Sequence, residues 1–326
     1  MSNWRDKMPI PDAAERWSSR VNVVRIGATP EEGGTRSKVV EVGGETGLPF
    51  LKFEGETPNP PVVAMEVWDV RPEDWPEVLT EPFGDVLEDP AKWAKKCVEF
   101  GADMICIKLI GTHPDFGDAS PEQARDVVNA VADAVSVPLI LWGCDEDEKD
   151  NEVLPVCSEA LAGERCLLGT AKEDNYRTLV ACCQADGHNL ITEAPLDINI
   201  QKQVNILVTD MGFPPDRIVM YPTTGGLGYG IEYAYSIHER SRLAALGGDK
   251  MMAMPVIALP GPEAWRAKEA KGTDEEVPAN WGPQSERGPV WELITATTLL
   301  QAGTDILVMR HPKAVRALKD FVERLL

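Results

Sequence analysis

The most distinctive stretch of this 326-residue sequence is Thr223-Thr224-Gly225-Gly226-Leu227-Gly228-Tyr229-Gly230, set between an apolar run, RIVMYP, and a helical pattern, IEYAYSIHERSRLAAL. Three glycines in four positions let the backbone approach a ligand closely. Two hydroxyls and a helix N-terminus add hydrogen bonds. The same residues also read as a strained turn from strand to helix, with Thr224 as its cap. A nucleotide P-loop is excluded, because G-x-x-x-x-G-K-[ST] requires a lysine after the last glycine and Ile231 stands there.

Other residues with chemical potential are dispersed. The seven cysteines (Cys97, Cys106, Cys144, Cys157, Cys166, Cys182 and Cys183) form no C-x-x-C pair of the kind that holds zinc or an iron–sulfur cluster. Cys106 and Cys166 fall inside strand-like runs, and most of the seven are expected to be small buried apolar residues. Asp69, Thr112, His113, Trp142, Glu193 and Asn199 stand at or just past the ends of apolar runs, where each either meets a ligand or merely closes a turn. Trp75, Trp93, Trp265, Trp281 and Trp291 belong to the core or to a partner surface, and the interface reading is favoured for Trp265 and Trp281.

Positioning such residues requires a scaffold, and the apolar runs describe one. They are VVAMEVWDV (62–70), MICIKL (104–109), VPLILW (137–142), RCLLGT (165–170), NLITEA (189–194), RIVMYP (217–222), PVIALP (255–260) and DILVMR (305–310). Near-continuous hydrophobicity suits strands buried on both faces of a parallel sheet. Segments of helical period separate the runs, among them 90–100, 121–135, 198–211 and 312–326, and Asp89-Pro90 and Ser120-Pro121 are helix-start signals. Eight such units predict an α/β fold, a (β/α)8 TIM barrel, over residues 61–326. Residues 1–60 form an N-terminal extension whose runs 21–26 and 38–42 flank a turn-like EEGGT, predicting a β-hairpin packed on the barrel. A doubly wound sheet is the alternative, but no G-x-G-x-x-G follows the first strand.

The crossovers at 70–89 and 261–285 are long and fall on the side where barrels carry ligand chemistry. Composition is ordinary for a globular protein, with 43% hydrophobic and 26% charged residues. The net charge of −21 repels phosphate backbones and anionic lipid, so nucleic acid and membranes are not expected as partners. No apolar run approaches the roughly 20 residues of a membrane span, and the N-terminus lacks the apolar stretch of a secretory signal. A cytoplasmic location is expected.

TTGGLGYG with its following helix, together with GDKMMAMPVI, SKVVEVGGETGLPFL and ILVMRHPKAV, resembles the small subunit of the corrinoid iron–sulfur protein and the equivalent delta subunit of archaeal acetyl-CoA decarbonylase/synthase. The likeness spans essentially the whole chain. It implies a heterodimer of the reductive acetyl-CoA pathway, in which a large subunit carries a four-iron cluster and mainly holds a corrinoid (cobalamin) that this barrel covers. It further implies that the pair carries a methyl group from a methyltetrahydrofolate:corrinoid methyltransferase to acetyl-CoA synthase. No catalytic residue or metal ligand is then expected here. D-x-H-x-x-G, a cobalt-ligating pattern, surrounds none of His113, His188, His238 or His311. Thr223, Thr224, Gly225, Gly226 and Gly228, with Asn199, Thr112 and Asp69, become candidates to meet the corrinoid.

Two rival readings are a pterin-dependent methyltransferase barrel and a purely structural scaffold subunit. GFPPDRIVMYP looks like the sixth-strand region of pterin-binding barrels, where an Asp-Pro pair commonly follows the strand. Here Tyr221 precedes Pro222, which weakens that reading, while Asp197 and Asn199 keep it open.

Overall fold

Strands that are apolar on both faces need a neighbour at each edge and cover above and below, and a closed ring supplies both. The computed structural model describes residues 14–326; residues 1–13 of the expected extension lie outside the described residues. Two strands, β1 (Val23–Ile26) and β2 (Val40–Gly43), pair antiparallel as the expected hairpin. Eight parallel strands follow: β3 (Val62–Trp68), β4 (Met104–Lys108), β5 (Leu139–Trp142), β6 (Leu167–Ala171), β7 (Asn189–Glu193), β8 (Ile218–Tyr221), β9 (Ile257–Ala258) and β10 (Ile306–Met309). Their order is β8-β7-β6-β5-β4-β3-β10-β9, and a parallel bridge between Met220 and Val256 joins the ends. The chain is a (β/α)8 barrel.

Helices alternate with the strands: α1 (Glu77–Thr80), α2 (Pro90–Glu99), α3 (Pro121–Ala134), α4 (Asp147–Ala160), α5 (Tyr176–Asp186), α6 (Ile198–Asp210), α7 (Ile231–Leu246), α8 (Pro260–Ala264), α9 (Lys268–Lys271), α10 (Gln284–Gln301) and α11 (Pro312–Leu325). Their starts follow the sequence signals. The Asp89 carboxylate accepts from the backbone N–H groups of Ala91 and Lys92, Ser120 forms a capping box with Gln123, and each is followed by proline at the first helical position. Both long crossovers contain structure of their own. The first holds α1 and a 3-10 turn at Gly84–Glu88; the second holds α8, α9 and a 3-10 turn at Ala279–Trp281.

Alternate residues of each strand divide between two cores. Met65, Val67, Ile105, Ile107, Leu139, Leu141, Leu307 and Met309 face the helices. Ala64, Met104, Cys106, Ile140, Trp142, Ile191, Val219, Tyr221, Ile306 and Val308 fill the barrel, joined by Val24, Ile26, Val40 and Val42 of the hairpin. The hairpin therefore closes the N-terminal end of the barrel. Its backbone is tied there: Gly27 N–H donates to Arg165 O (2.9 Å), Ser37 N–H to Ser136 O (3.0 Å), and the Asn189 amide to Arg25 O (2.9 Å). Arg36, buried, clamps the same end by donating to Glu164 (2.7 Å) and to the carbonyls of Val135 (2.7 Å) and Ala132 (2.9 Å) at the close of α3.

The weak seam is β9, which is shorter than the run PVIALP suggests. Pro255 and Pro260 flank it, and proline has no N–H to donate to a ladder. The Leu259 N–H finds the Thr224 hydroxyl oxygen instead, at 2.9 Å.

Ile26 is fully buried among barrel residues, so Ile26→Ala is expected to lower stability by about 2–5 kcal/mol. Urea unfolding of variant and wild type measures this, and a loss below about 1 kcal/mol would mean that the hairpin does not plug the barrel.

Candidate functional site

With one end plugged, the C-terminal end of the barrel is the open one, and the inward-facing residues there are charged. Glu66 sits on β3, buried, and Arg310 just after β10. The guanidinium donates through Nε to Glu66 Oε2 (2.6 Å) and through Nη2 to Oε1 (3.1 Å), a bidentate pair. The Trp68 indole adds a third donor to Oε1, at 2.6 Å. Burial pushes the Glu66 carboxyl up, but the Arg310 charge and hydrogen bonds outweigh it and hold it below the ordinary carboxylate value. The Arg310 guanidinium lies over the rings of Trp75 (4.5 Å) and Trp68 (5.4 Å), whose faces favour a cation.

A second pair stands beside the first. Lys108, at the end of β4, reaches Asp145 Oδ2 at 2.9 Å, and the Trp142 indole donates to Asp145 Oδ1 at 3.1 Å. Burial lowers the Lys108 ammonium and raises the Asp145 carboxyl; in each case their mutual attraction prevails, so both stay ionised. Asp145 adopts φ +73°, in a loop fixed by Asp150, whose carboxylate accepts from Cys144 N (2.8 Å) and Asp145 N (3.2 Å). Further round the ring Lys172 pairs with Asp147 (2.8 Å), and Thr170 donates to Glu193, whose carboxyl is raised by burial.

Above this layer lies a cavity of about 390 Å³ walled by Trp68, Trp75, His113, Phe116 and Trp265, with Lys108, Asp145 and Arg310 at its base. The walls come from three crossovers: Trp75 from the first, His113 and Phe116 from the β4–α3 loop, and Trp265 from the second. Trp265 is only 3% exposed, and its indole donates to Glu292 at 2.6 Å. That corrects the expectation that Trp265 lies on a partner surface, since its polar end is already paired with a carboxylate of α10. Trp281 is 42% exposed, as that expectation required. Trp75 and Trp93 are buried and Trp291 half-buried.

The other candidates occupy varied places. Thr223, half-buried at φ +57°, accepts from Leu196 N at 3.1 Å. Thr224 is buried at the β8–β9 seam rather than capping α7, which opens on Gly230. Gly225 and Gly226 are buried; a Cβ at Gly225 would stand 2.3 Å from Gly230 O, so there the close approach is to the chain's own turn. Gly228 and Tyr229 are exposed. Thr112 is buried and donates to Leu109 O (2.7 Å). The Asp69 carboxylate accepts from Gly111 N (2.8 Å), and burial raises its pKa to about 6. Asn199 is exposed in the first turn of α6, its N–H taken by Asp197 Oδ1 (2.7 Å). Of the eight candidates only Thr112 and Asp69 neighbour the cavity through the β4 loop, and none lines it.

Glu66, Lys108 and Arg310 are hidden in the sequence by the apolar runs that contain or border them, and Asp145 by the polar loop around it. A charge inside VVAMEVW, MICIKL or just after DILVM is the available signal, and its parity matches the inward-facing set. Among the described residues no three His, Cys, Asp or Glu side chains converge as a metal site. All seven cysteines are free, and six are buried. No helix of the described residues is long and apolar enough to cross a membrane.

Residues 24–311 match the model of the CO dehydrogenase/acetyl-CoA synthase delta subunit family. The chain belongs to that family. It is 39% identical over 324 residues to the acetyl-CoA decarbonylase/synthase complex subunit delta of Methanosarcina mazei, covering 98% of this chain and 73% of the relative. The same subunit of Methanothermobacter thermautotrophicus is 42% identical over 292 residues, covering 89% and 73%. Among solved structures, dihydropteroate synthase of Xanthomonas albilineans with 4-aminobenzoic acid superposes with TM-score 0.55 at 14% identity, covering 85% of this chain and 97% of that one. The Thermus thermophilus enzyme gives 0.54 at 15%, covering 85% and 99%. At such identity the likeness is one of fold.

Two outcomes follow from the site. Arg310→Met leaves Glu66 buried without its partner and is expected to cost about 3–5 kcal/mol, much of it recovered in Glu66→Gln/Arg310→Met. Strictly additive losses in urea unfolding would contradict the pairing. Glu292 is buried and its pKa is raised to about 7, so the folded chain holds a proton there that the unfolded chain, at its ordinary value of 4.5, releases. Stability from this group is therefore present near pH 4.5 and is lost as pH rises toward 7. Glu292→Gln should remove that part of the slope, measured as unfolding midpoints between pH 4.5 and 8; an unchanged slope would refute it.

Proposed function

We propose that this chain is the small, corrinoid-covering subunit of a cytoplasmic heterodimeric methyl carrier in the reductive acetyl-CoA pathway. On this reading a larger partner subunit holds the corrinoid and a four-iron cluster. The carrier accepts its methyl group from a methyltetrahydrofolate:corrinoid methyltransferase and delivers it to acetyl-CoA synthase. The single observation that carries the reading is the barrel mouth, where the buried Glu66–Arg310 pair and the part-exposed Lys108–Asp145 pair balance charge beneath an aromatic-walled cavity.

The fit to a corrinoid is one of surface. A cavity of about 390 Å³ suits a small bicyclic ligand, so a macrocycle lies across the mouth and only its edge groups enter. Corrin side-chain amides both donate and accept, and Asp74 and Asp145 offer acceptors while Lys108, Lys271 and Arg310 offer donors. Cobalt, when the corrinoid is present, supplies the methyl-accepting chemistry. The chain's own part is to exclude water and orient the ring, and no residue of it needs to make or break a bond. The paired charges suit this: the mouth presents strong local hydrogen-bonding groups without net charge. Of the glycine loop, Thr223 and Gly228 keep exposed surface, but they stand away from the cavity. Thr224, Gly225, Gly226, Thr112, Asp69 and Asn199 support the loops around it.

Phe116 tests the reading. It is 69% exposed at the lip of the cavity, so its ring is open to whatever lies across the mouth. In heterodimer reconstituted with the larger subunit, Phe116→Ala is expected to shift the corrinoid absorbance and to speed oxidation of reduced cobalt several-fold. A spectrum and oxidation rate equal to wild type would favour the purely structural scaffold. Binding of methyltetrahydrofolate by this chain alone in calorimetry would favour the pterin-dependent methyltransferase instead.

A further inference from the structure

A groove of about 570 Å³ runs along the outside of the second insertion, lined by Glu269, Trp281, Glu286, Val290, Trp291 and Ile294. Its apolar members are open to solvent: Val290 and Ile294, one turn apart on α10, are 47% and 41% exposed, and Trp281 42%. Tyr229 of the glycine loop is 57% exposed, and its hydroxyl donates to Glu269 at 3.0 Å, bringing a fourth large side chain to the edge. The opposite face of α10, with Ala296, Leu299 and Leu300, is already buried against the barrel. A helix apolar on both faces is a buried helix. In addition, the Trp291 indole N–H is buried with no acceptor among the described residues.

Charge narrows what covers it. Arg287 lines the groove but turns inward and donates to the carbonyls of Glu269, Gly272 and Gly282. Glu286 is already paired with Lys313 at 2.8 Å and Glu269 accepts from Tyr229, so the acid without an ion pair at the rim is Glu269, bordered by the exposed run Asp274-Glu275-Glu276. A second copy of a chain with net charge −21 would set acid against acid.

We propose that this face docks a different polypeptide, one whose apolar side chains fill the groove and whose Lys or Arg side chains meet Glu269 and the neighbouring acidic run. Resting on the function proposed above, that polypeptide is the larger, corrinoid-bearing subunit. The insertion links the two surfaces, since Trp265 and Lys271 line the barrel mouth while Glu269 and Trp281 line the groove. One partner that covers the mouth therefore reaches the groove, and docking here sets how the corrinoid approaches.

The test is association of the purified chain with the larger subunit, followed by sedimentation velocity across a dilution series. Val290→Glu, Ile294→Glu and Trp281→Ala are each expected to weaken association at least tenfold. Val23→Glu, exposed on the hairpin at the far end, should associate as wild type. Unfolding midpoints of the isolated variants exclude misfolding, and Trp281→Ala, which adds no charge, serves should a glutamate variant unfold. The proposal is overturned if all three groove variants associate like wild type, or if wild type alone forms a dimer that Val290→Glu abolishes. Should wild type not bind the larger subunit at all, the methyl-carrier reading falls and this one with it. A normal wild-type complex indifferent to the groove variants removes the docking face alone.

Discussion

A carboxylate on the inner face of a barrel strand loses its water on folding, and the cost is several kcal/mol unless a cation with good geometry stands beside it. Glu66 meets that condition chiefly through Arg310, which comes from the other side of the β3–β10 pairing, with Lys108 adding a second positive charge. Much of the open end follows from this constraint. Arg310 has to project inward, so its backbone N–H and that of His311 are held by Glu292 of α10. The guanidinium's flat faces then select aromatic neighbours, which brings Trp68 against Trp75 at 5.3 Å and Trp75 against Trp93 at 5.5 Å. The first insertion is in this way packed onto the mouth by a charge that lies beneath it.

Glu292 draws in the second insertion by the same logic. It accepts from the Trp265 indole, and Trp265 stacks at 5.9 Å on His311. Both crossovers that depart from the repeated βα pattern are therefore organised by buried carboxylates at the same end of the barrel. The hairpin at the other end is held mainly by apolar packing and backbone hydrogen bonds, with the buried Arg36–Glu164 pair at its margin. This asymmetry, an apolar barrel filling below and charged pairs above, distinguishes the two ends of the barrel.

Most of the scaffold was legible in the sequence. Each of the eight apolar runs became a strand, and Asp89 and Ser120 cap the helices they announced. The site was less legible. In the glycine loop, hydroxyls and glycines look free in sequence but are absorbed by the turn: Thr224 completes the seam that Pro255 and Pro260 leave open, and Gly225 packs on Gly230. Conversely, Glu66 and Lys108 were masked by the hydrophobicity around them. Which charges meet across a barrel depends on strand order and register, and a single sequence does not display either. Trp265 shows the same limit, because its partner Glu292 stands 27 residues away.

The central claim is that the mouth lies against the corrinoid, and distance from cobalt measures it. With fluorotryptophan incorporated into this chain and the heterodimer held in the paramagnetic Co(II) state, fluorine resonances of Trp68, Trp75 and Trp265 should broaden strongly relative to the diamagnetic state. That of Trp17, which pairs with Glu54 away from the mouth, should not. Mouth resonances as sharp as Trp17 in the assembled, cobalt-loaded pair would contradict the account.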